Sequence, residues 1–244
     1  MLKIENYTKK YGDKTVVDDI SLHIKPGELY GFIGHNGAGK TTTIKACVGI
    51  LKPDAGRILI ANKDIRQQPV ECKQDLAYIP DNPELYDYMS GMQYLNFVAD
   101  IFGVSRQDRA QRIEKYAEMF DIADDLGSSI GTYSHGMQQK IALMAGFIHD
   151  PKLIIMDEPF VGLDPQASFN VKNIMREFCD DGSSIFFSTH VLEVAEKLCD
   201  KIAIIKKGKL LKTGTMQDVR GDESLESVFL ELEAEKDEDN IQEN

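Results

Sequence analysis

Positive charge is scarce in this 244-residue sequence. It contains 28 lysines and arginines against 40 aspartates and glutamates, which gives a net charge of −12. Surfaces that bind nucleic acid need clustered Lys and Arg side chains, so this balance argues against such a partner. Part of the excess is local, because residues 231–240 form an acidic run. We expect that run to be a solvated or disordered tail.

Cysteine motifs and long apolar runs are also missing. The four cysteines lie far apart and form no C-x-x-C pair, which is typical of reduced thiols in a cytosolic protein and indicates no zinc site. The first residues contain no apolar signal segment. The longest apolar stretches, such as Ile141–Ala145, fall far short of a membrane span. We therefore expect no direct membrane insertion.

One stretch has a strong chemical signature. Residues 34–42 fit the spacing G-x-x-x-x-G-K-[ST], in which backbone N–H groups wrap the phosphates of a nucleotide. A predicted strand (28–33) precedes the loop and a predicted helix (42–51) follows it, as the motif requires. Lys40 is expected to reach the β- and γ-phosphates, and the Thr41 hydroxyl to bind Mg²⁺. The predicted nucleotide contacts are Gly34, Asn36, Gly37, Ala38, Gly39, Lys40, Thr41 and Thr42. A glycine-rich turn that binds nothing is the alternative.

An acid pair follows the apolar stretch Leu153–Met156. Ligands of open α/β sheets bind at the carboxyl ends of strands, where Asp157 and Glu158 would lie. Asp157 is predicted to bind Mg²⁺, and Glu158 to polarise the water that attacks the γ-phosphate. His190, after the next strand, is predicted to be catalytic as well. Taken alone, the acids could cap the next element and the histidine could be structural, but the phosphate loop favours catalysis.

The remaining patterns predict an α/β fold. Alternating apolar and polar residues predict strands among the first 62 residues. Residues 153–205 alternate strands with helices, which implies a parallel sheet covered on both faces. Helical periodicity dominates from about 90 to 148. A nucleotide-binding core therefore carries a helical insertion at about 82–148.

Several motifs occur together in a characteristic order. Ahead of the acid pair lies Tyr133-Ser134-His135-Gly136-Met137-Gln138, and behind it lie Gly162-Leu163-Asp164-Pro165 and His190. Over about residues 2–220 the chain resembles the nucleotide-binding domain of an ABC (ATP-binding cassette) transporter. The Ser-x-Gly-x-Gln pattern narrows the resemblance to this family. Residues 225–232 further resemble ATPase subunits of bacterial exporters whose membrane partner is a separate chain.

The resemblance implies the fold, the partners and the location. The expected fold is a P-loop NTPase core with a mixed, mainly parallel sheet, an antiparallel β subdomain and the helical subdomain. Residues 1–221 would form the ATP-binding domain, and residues 222–244 a C-terminal helix with the acidic tail. The function implied is hydrolysis of ATP, with Mg²⁺, to drive a separate transmembrane permease. The chain would lie in the cytoplasm on the inner face of the membrane, paired with an identical or different second cassette.

The resemblance also assigns residues. In the family two cassettes pack head to tail around two ATP molecules. Ser134 and Gly136, with Gln138, would face the γ-phosphate that the other cassette binds, since a helix N-terminus is an anion site. Asp164 would lie at the same interface. Tyr11 would stack on the adenine, although a surface turn tyrosine is the alternative interpretation.

Two positions depart from the family pattern. The family usually has Leu-Ser-Gly-Gly-Gln, whereas Tyr133 and His135 here replace the leucine and the first glycine. We hypothesise that His135 weakens or pH-tunes dimer closure. The family's glutamine after the predicted strand 76–79 aligns with Asp81. This carboxylate could serve Mg²⁺, but without the metal it would repel the γ-phosphate.

Two other functions stay open. A soluble ABC ATPase acting on ribosomes or DNA is disfavoured by the single cassette, the missing coiled-coil insertion and the negative charge. A regulatory ATP sensor without hydrolysis is disfavoured by the intact lysine, acid pair and histidine. The sequence does not identify a transported substrate.

Overall fold

The computed structural model describes residues 1–232, so residues 233–244, with most of the predicted acidic tail, lie outside the described part. The strands are β1 (Leu2–Tyr11), β2 (Lys14–Ile24), β3 (Leu29–Ile33), β4 (Ala55–Ile60), β5 (Lys63–Asp64), β6 (Leu76–Ile79), β7 (Leu153–Asp157), β8 (Ser184–Thr189), β9 (Lys201–Lys206) and β10 (Lys209–Thr215). The helices are α1 (Lys40–Cys47), α2 (Pro69–Gln74), α3 (Gly91–Ile101), α4 (Arg106–Met119), α5 (His135–Phe147), α6 (Pro165–Asp180), α7 (Leu192–Leu198) and α8 (Met216–Arg220). A last helix, α9, begins at 225 and reaches 232.

The strands form two sheets. An antiparallel sheet has the order β2-β1-β4-β5, and a six-stranded sheet has the order β10-β9-β3-β8-β7-β6. In the larger sheet β9, β3, β8, β7 and β6 run parallel, and β10 pairs antiparallel with β9. The predicted α/β fold, with a mainly parallel mixed sheet and an antiparallel β subdomain, is confirmed.

Both faces of the larger sheet are buried. Along β7, Ile154 and Met156 belong to one apolar cluster, whereas Leu153 and Ile155 belong to the other. Successive side chains of a strand point to opposite faces, so a fully apolar strand requires cover on both sides. Polar groups of these strands are therefore confined to their ends, and the carboxyl ends of β3, β7 and β8 carry the candidate site.

The helical region is interrupted where the sequence has local stop and start signals. The predicted helical stretch 90–120 divides into α3 and α4, because Gly103 takes a left-handed φ of 67° and Ser105 caps α4. Ser90 and Gln93 form a capping box that starts α3. Three helices, α3, α4 and α5, pack on one another in this region.

Four short or polar elements, α2, β5, β10 and α8, were not predicted from the sequence. β10 is an edge strand with exposed lysines and little apolar alternation, so its pairing with β9 decides its structure. The helix predicted at 42–51 begins two residues earlier, at Lys40. Leu225 and Val228 of α9 join the core cluster of the larger sheet. The boundary at residue 221 stays a prediction.

Candidate functional site

The phosphate loop connects β3 to α1, and its glycines allow its tight path. A Cβ on Gly34 would lie 2.4 Å from the carbonyl oxygen of Ile205, so only glycine fits there. Gly39 precedes α1 with a left-handed φ of 110°, which favours glycine. The loop therefore leads its backbone directly into the start of a helix. Unpaired N–H groups and the helix dipole make such a start an anion site.

Lys40 joins the loop to the acid pair. Its Nζ donates hydrogen bonds to the carbonyl oxygens of Gly34, at 2.6 Å, and His35, at 3.3 Å. The same Nζ lies 3.3 Å from Oε1 of Glu158, and the lysine is only 6% exposed. The two halves of the site that the sequence predicted separately are thus in direct contact.

Asp157 and Glu158 are held by a residue that was not predicted. Ser188 Oγ donates to Asp157 Oδ1 at 2.5 Å, and the backbone N–H of Glu158 donates to Ser188 Oγ at 3.1 Å. Asp157 and Ser188 are also register partners in the parallel pair β7–β8. A polar residue opposite an acid at a strand end is the signal that could have identified Ser188.

Glu158 has an unusual backbone and two close side-chain partners. Its φ is 49°, and such a conformation costs a non-glycine residue on the order of 1–3 kcal/mol. Lys40 approaches one carboxylate oxygen, and Nδ1 of His190 lies 3.0 Å from the other. The predicted catalytic pair Glu158 and His190 is therefore brought together beside the phosphate loop.

Asp81 faces the same group of charges. Burial, followed by the negative charges of Asp157 and Glu158, raises the pKa of the Asp81 carboxyl, while His135 and His190 oppose the shift. A cation at this position would reduce the electrostatic repulsion that these neighbouring carboxylates exert on Asp81. Such electrostatic proximity fits a place near Mg²⁺.

The oxygen donors present fit Mg²⁺. Thr41 is exposed at the start of α1, and Asp157 is a buried carboxylate at the end of β7. Mg²⁺ in nucleotide sites uses one or two protein ligands and completes its shell with phosphate oxygens and water. No cluster of three or more His, Cys, Asp or Glu side chains suited to a metal occurs within residues 1–232.

Ser134 starts α5 at an exposed position. Its Oγ accepts a hydrogen bond from the backbone N–H of Met137 at 3.3 Å, as an N-cap does. A Cβ on Gly136 would lie 2.8 Å from the Gly162 carbonyl oxygen, so a side chain would displace the loop before α6. Ser134 takes the second position of the motif Leu-Ser-Gly-Gly-Gln, so the fifth position falls on Met137, and Gln138 follows it, half-buried.

The loop before α6 is tied to α5. Asp164 caps α6 by accepting a hydrogen bond from the Ala167 backbone N–H at 2.7 Å, and its carboxylate lies 3.0 Å from Lys140 Nζ. The Ala167 N–H and then Lys140 lower the pKa of the Asp164 carboxyl. Cδ2 of the His135 ring lies 2.6 Å from where a Cβ on Gly162 would be. The predicted interface residues Ser134, Gly136 and Asp164 therefore belong to one connected surface.

Tyr11 lies at the end of β1, before the turn to β2. Its side chain is 50% exposed, and Nζ of Lys9 lies 5.6 Å from the ring centroid. An exposed ring with a nearby cation is available for stacking on a base. The adenine contact stays a prediction.

Comparisons with known proteins give the family. The family model for ABC transporters matches residues 17–161. The uncharacterised ABC transporter ATP-binding protein YhcH of Bacillus subtilis is 35% identical over 235 residues, covering 96% of this chain and 75% of the relative. The linearmycin resistance ATP-binding protein LnrL of the same organism is 34% identical, covering 90% of this chain and 70% of the relative. A solved structure of an ATP binding subunit of an ABC transporter has a TM-score of 0.92 at 33% identity, covering 95% of this chain and 99% of that one.

These matches define the class of protein as an ATP-binding cassette. The chain belongs to the ABC transporter family and is an ATP-binding subunit with the ATPase fold of that family. Subunits of this kind generally act with membrane permeases. The matched range contains the phosphate loop, Ser134 and the acid pair, whereas His190 and α9 lie beyond it.

Proposed function

We propose that this chain hydrolyses ATP to drive a separate transmembrane permease that exports its substrate. The 3.3 Å approach of Lys40 Nζ to Glu158 Oε1 is the observation that carries the proposal. It joins the phosphate-binding loop to the acid that would serve as general base. A binding loop alone would hold a nucleotide, whereas this pairing would also bring a general base close to the γ-phosphate.

The chemistry would be in-line attack of water on the γ-phosphate. Glu158 accepts a proton from the water while the water oxygen bonds to the γ-phosphorus. The bond between that phosphorus and the bridging oxygen of ADP breaks in the same step. His190, 3.0 Å from the other carboxylate oxygen, holds Glu158 in orientation. Thr41 and Asp157, with Asp81 nearby, would hold Mg²⁺. When bound, the ion neutralises phosphate charge.

Lys40 would link ATP binding to the state of the base. In the structure its ammonium contacts two loop carbonyls and Glu158. A triphosphate in the loop offers a more strongly charged partner, because ammonium–phosphate hydrogen bonds are charge-assisted on both sides. Binding would draw the ammonium toward the phosphates and leave Glu158 to interact with water.

A second cassette would complete the site. Ser134 and the N-terminus of α5 form an exposed anion site, supported by the packing of Gly136 on Gly162. Asp164 lies on the same surface through its ion pair with Lys140. Head-to-tail pairing would bring this surface to the γ-phosphate of the other cassette, and either an identical or a different cassette could supply it.

An aromatic cluster in the helical region, formed by Tyr86, Tyr88 and Phe97, is suited to a protein partner. Tyr86 stacks on Tyr88 at 5.8 Å between centroids and meets Phe97 edge-on at 5.9 Å. All three rings are exposed, and Tyr88 reaches 78%. Exposed aromatic patches of this kind are typical of interfaces. We assign this cluster the role of contacting the permease.

The location of the chain and the direction of transport are part of the same proposal. None of the helices in the described part, 1–232, has the length and apolar composition needed to cross a bilayer. The chain would therefore reach the cytoplasmic face of the membrane by binding the permease. Outward transport is supported by the exporter-like residues 225–232 and by a relative that is named for linearmycin resistance.

Isolation of the chain from membranes tests the proposal. Replacing Tyr86 and Tyr88 by serine should greatly reduce the amount of membrane protein that copurifies and the ATP hydrolysis coupled to it. The matched control is Val70→Ser, which changes a residue of α2 that is also exposed. Equal recovery of the membrane partner with both variants would reject the aromatic cluster as the permease contact.

A further inference from the structure

The C-terminal helix contacts the phosphate loop through one pair of rings. The imidazole of His35, the second residue of the loop, meets the ring of Phe229 edge-on, with 5.0 Å between centroids and an angle of 71°. Phe229 is only 5% exposed. Such edge-to-face pairs have a preferred geometry, so one ring restricts the position of the other.

Helix α9, which carries Phe229, is fixed to the core. Leu225 and Val228 are buried with Phe229 in the apolar cluster that also contains Ile33, the residue directly before the loop. At the start of α9, the backbone N–H of Leu225 donates to Oε2 of Glu196 at 3.4 Å. The helix is therefore a firm support on which the His35 ring rests.

The backbone of His35 takes part in the internal structure of the loop. Its carbonyl oxygen accepts hydrogen bonds from the Ala38 backbone N–H at 3.1 Å and from Lys40 Nζ at 3.3 Å. A change in the position of His35 would therefore change the turn that the loop makes and the direction of the lysine ammonium. The ring contact with Phe229 therefore acts on a residue that is part of the hydrogen bonding within the loop.

We propose that Phe229 is a positioning residue for the phosphate loop, which it holds in its ATP-binding form through His35. The inference rests on the proposed function, in which residues 34–42 bind the phosphates of ATP. It makes α9, outside the range that the family model matches, a determinant of ATP affinity.

Substitution of Phe229 in the full-length chain tests the inference. We expect Phe229→Ala to raise the Kd for ATP about threefold to tenfold, the size of effect expected for one aromatic pair. In the permease complex it should raise KM while kcat stays within about twofold, because Phe229 contacts no reacting atom. Phe229→Leu, which keeps apolar bulk and protects the fold, should give a smaller rise in Kd, and Phe229→Tyr should restore the parent value.

Ile113→Ala is the matched control, since Ile113 is buried like Phe229 in the same apolar cluster but belongs to α4 rather than to α9. It should lower Tm to a similar extent without the rise in Kd. His35→Ala should raise Kd as Phe229→Ala does, and the double variant should be no worse than either single one. The inference is overturned if Ile113→Ala raises Kd as much as Phe229→Ala, or if the effects of His35→Ala and Phe229→Ala multiply in the double variant.

Lys40→Ala separates this inference from the proposed function. A parent chain that binds ATP and a Lys40→Ala variant that binds it poorly support the phosphate loop as the ATP site. The Phe229 result then bears only on positioning. If Lys40→Ala binds ATP like the parent, the proposed function fails, whatever the Phe229 variants show.

Discussion

The two sides of the candidate site differ in how complete they are within one chain. On the phosphate-loop side, Lys40 and Asp157 are 6% and 2% exposed. The ammonium of Lys40 contacts the loop carbonyls and Glu158, and the carboxylate of Asp157 accepts a hydrogen bond from Ser188 of β8. On the other side, Ser134 is exposed at the start of α5, and the hydrogen bond described for its Oγ comes from its own helix. One side is assembled, and the other is presented to solvent.

This difference separates binding from catalysis. Buried polar groups that already have partners within the chain keep their geometry without a second cassette. An exposed helix N-terminus gains its function only when an anion is brought to it. ATP binding should therefore depend on the phosphate-loop side alone, whereas turnover should require both sides.

Glu158→Gln should give the largest effect. The amide cannot accept the proton of the attacking water, so ATP turnover should fall by about 10²- to 10⁴-fold. ATP binding should persist, because the loop is unchanged. The measurement is steady-state ATP hydrolysis by the permease complex, with Glu177→Gln, an exposed glutamate paired with Lys115, as control. Full ATP turnover by Glu158→Gln would show that Glu158 is not the general base.

Ser188→Ala should affect both stability and turnover. It removes the hydroxyl that bonds the Asp157 carboxylate and the Glu158 N–H, at a cost of about 1.5–3 kcal/mol in the free energy of unfolding. Ser184 is the matched control, since it is also buried in β8 and donates to the Lys25 carbonyl oxygen, away from the acids. Denaturant unfolding should show a loss for both variants. Reduced turnover with Ser184→Ala but not with Ser188→Ala would contradict the role of Ser188.

Asp164→Ala should have the smallest effect and should depend on pH. Loss of the N-cap should cost about 1 kcal/mol in the free energy of unfolding near neutral pH. The pKa of Asp164 is lowered in the folded chain, so its contribution is present above the unfolded-state pKa and is lost as pH falls through the folded-state pKa. The difference in Tm between the parent and Asp164→Ala should therefore shrink in acid. A difference that grows in acid would contradict the cap.

The assembled side was the more predictable from sequence. The spacing of residues 34–42 encodes a local structure, a turn into a helix, and an apolar strand ending in two acids encodes a position at a sheet edge. The contact of Lys40 with Glu158 joins residues far apart in the chain and depends on the β3–β8–β7 strand order. No local pattern specifies that order.

Two other features escaped prediction for related reasons. In the sequence Ser188 is an ordinary polar residue at the end of a strand. Its importance appears only in the structure, where the parallel register places it opposite Asp157. Phe229 reads as one apolar position of an amphipathic helix until α9 packs against the loop and brings the ring to His35. Sequence therefore predicts the groups that carry chemistry better than the groups that position them.

Equilibrium binding of ATP with Mg²⁺ to the isolated chain tests the central claim most directly, with the parent, Lys40→Ala and Ser134→Ala measured side by side. We predict that Lys40→Ala weakens binding by about 10- to 100-fold, through loss of charge-assisted hydrogen bonds. Ser134→Ala should bind ATP like the parent, because in the proposed mechanism Ser134 contacts the nucleotide of a second cassette. Parent-like binding by Lys40→Ala, or equal weakening by both substitutions, would contradict the account.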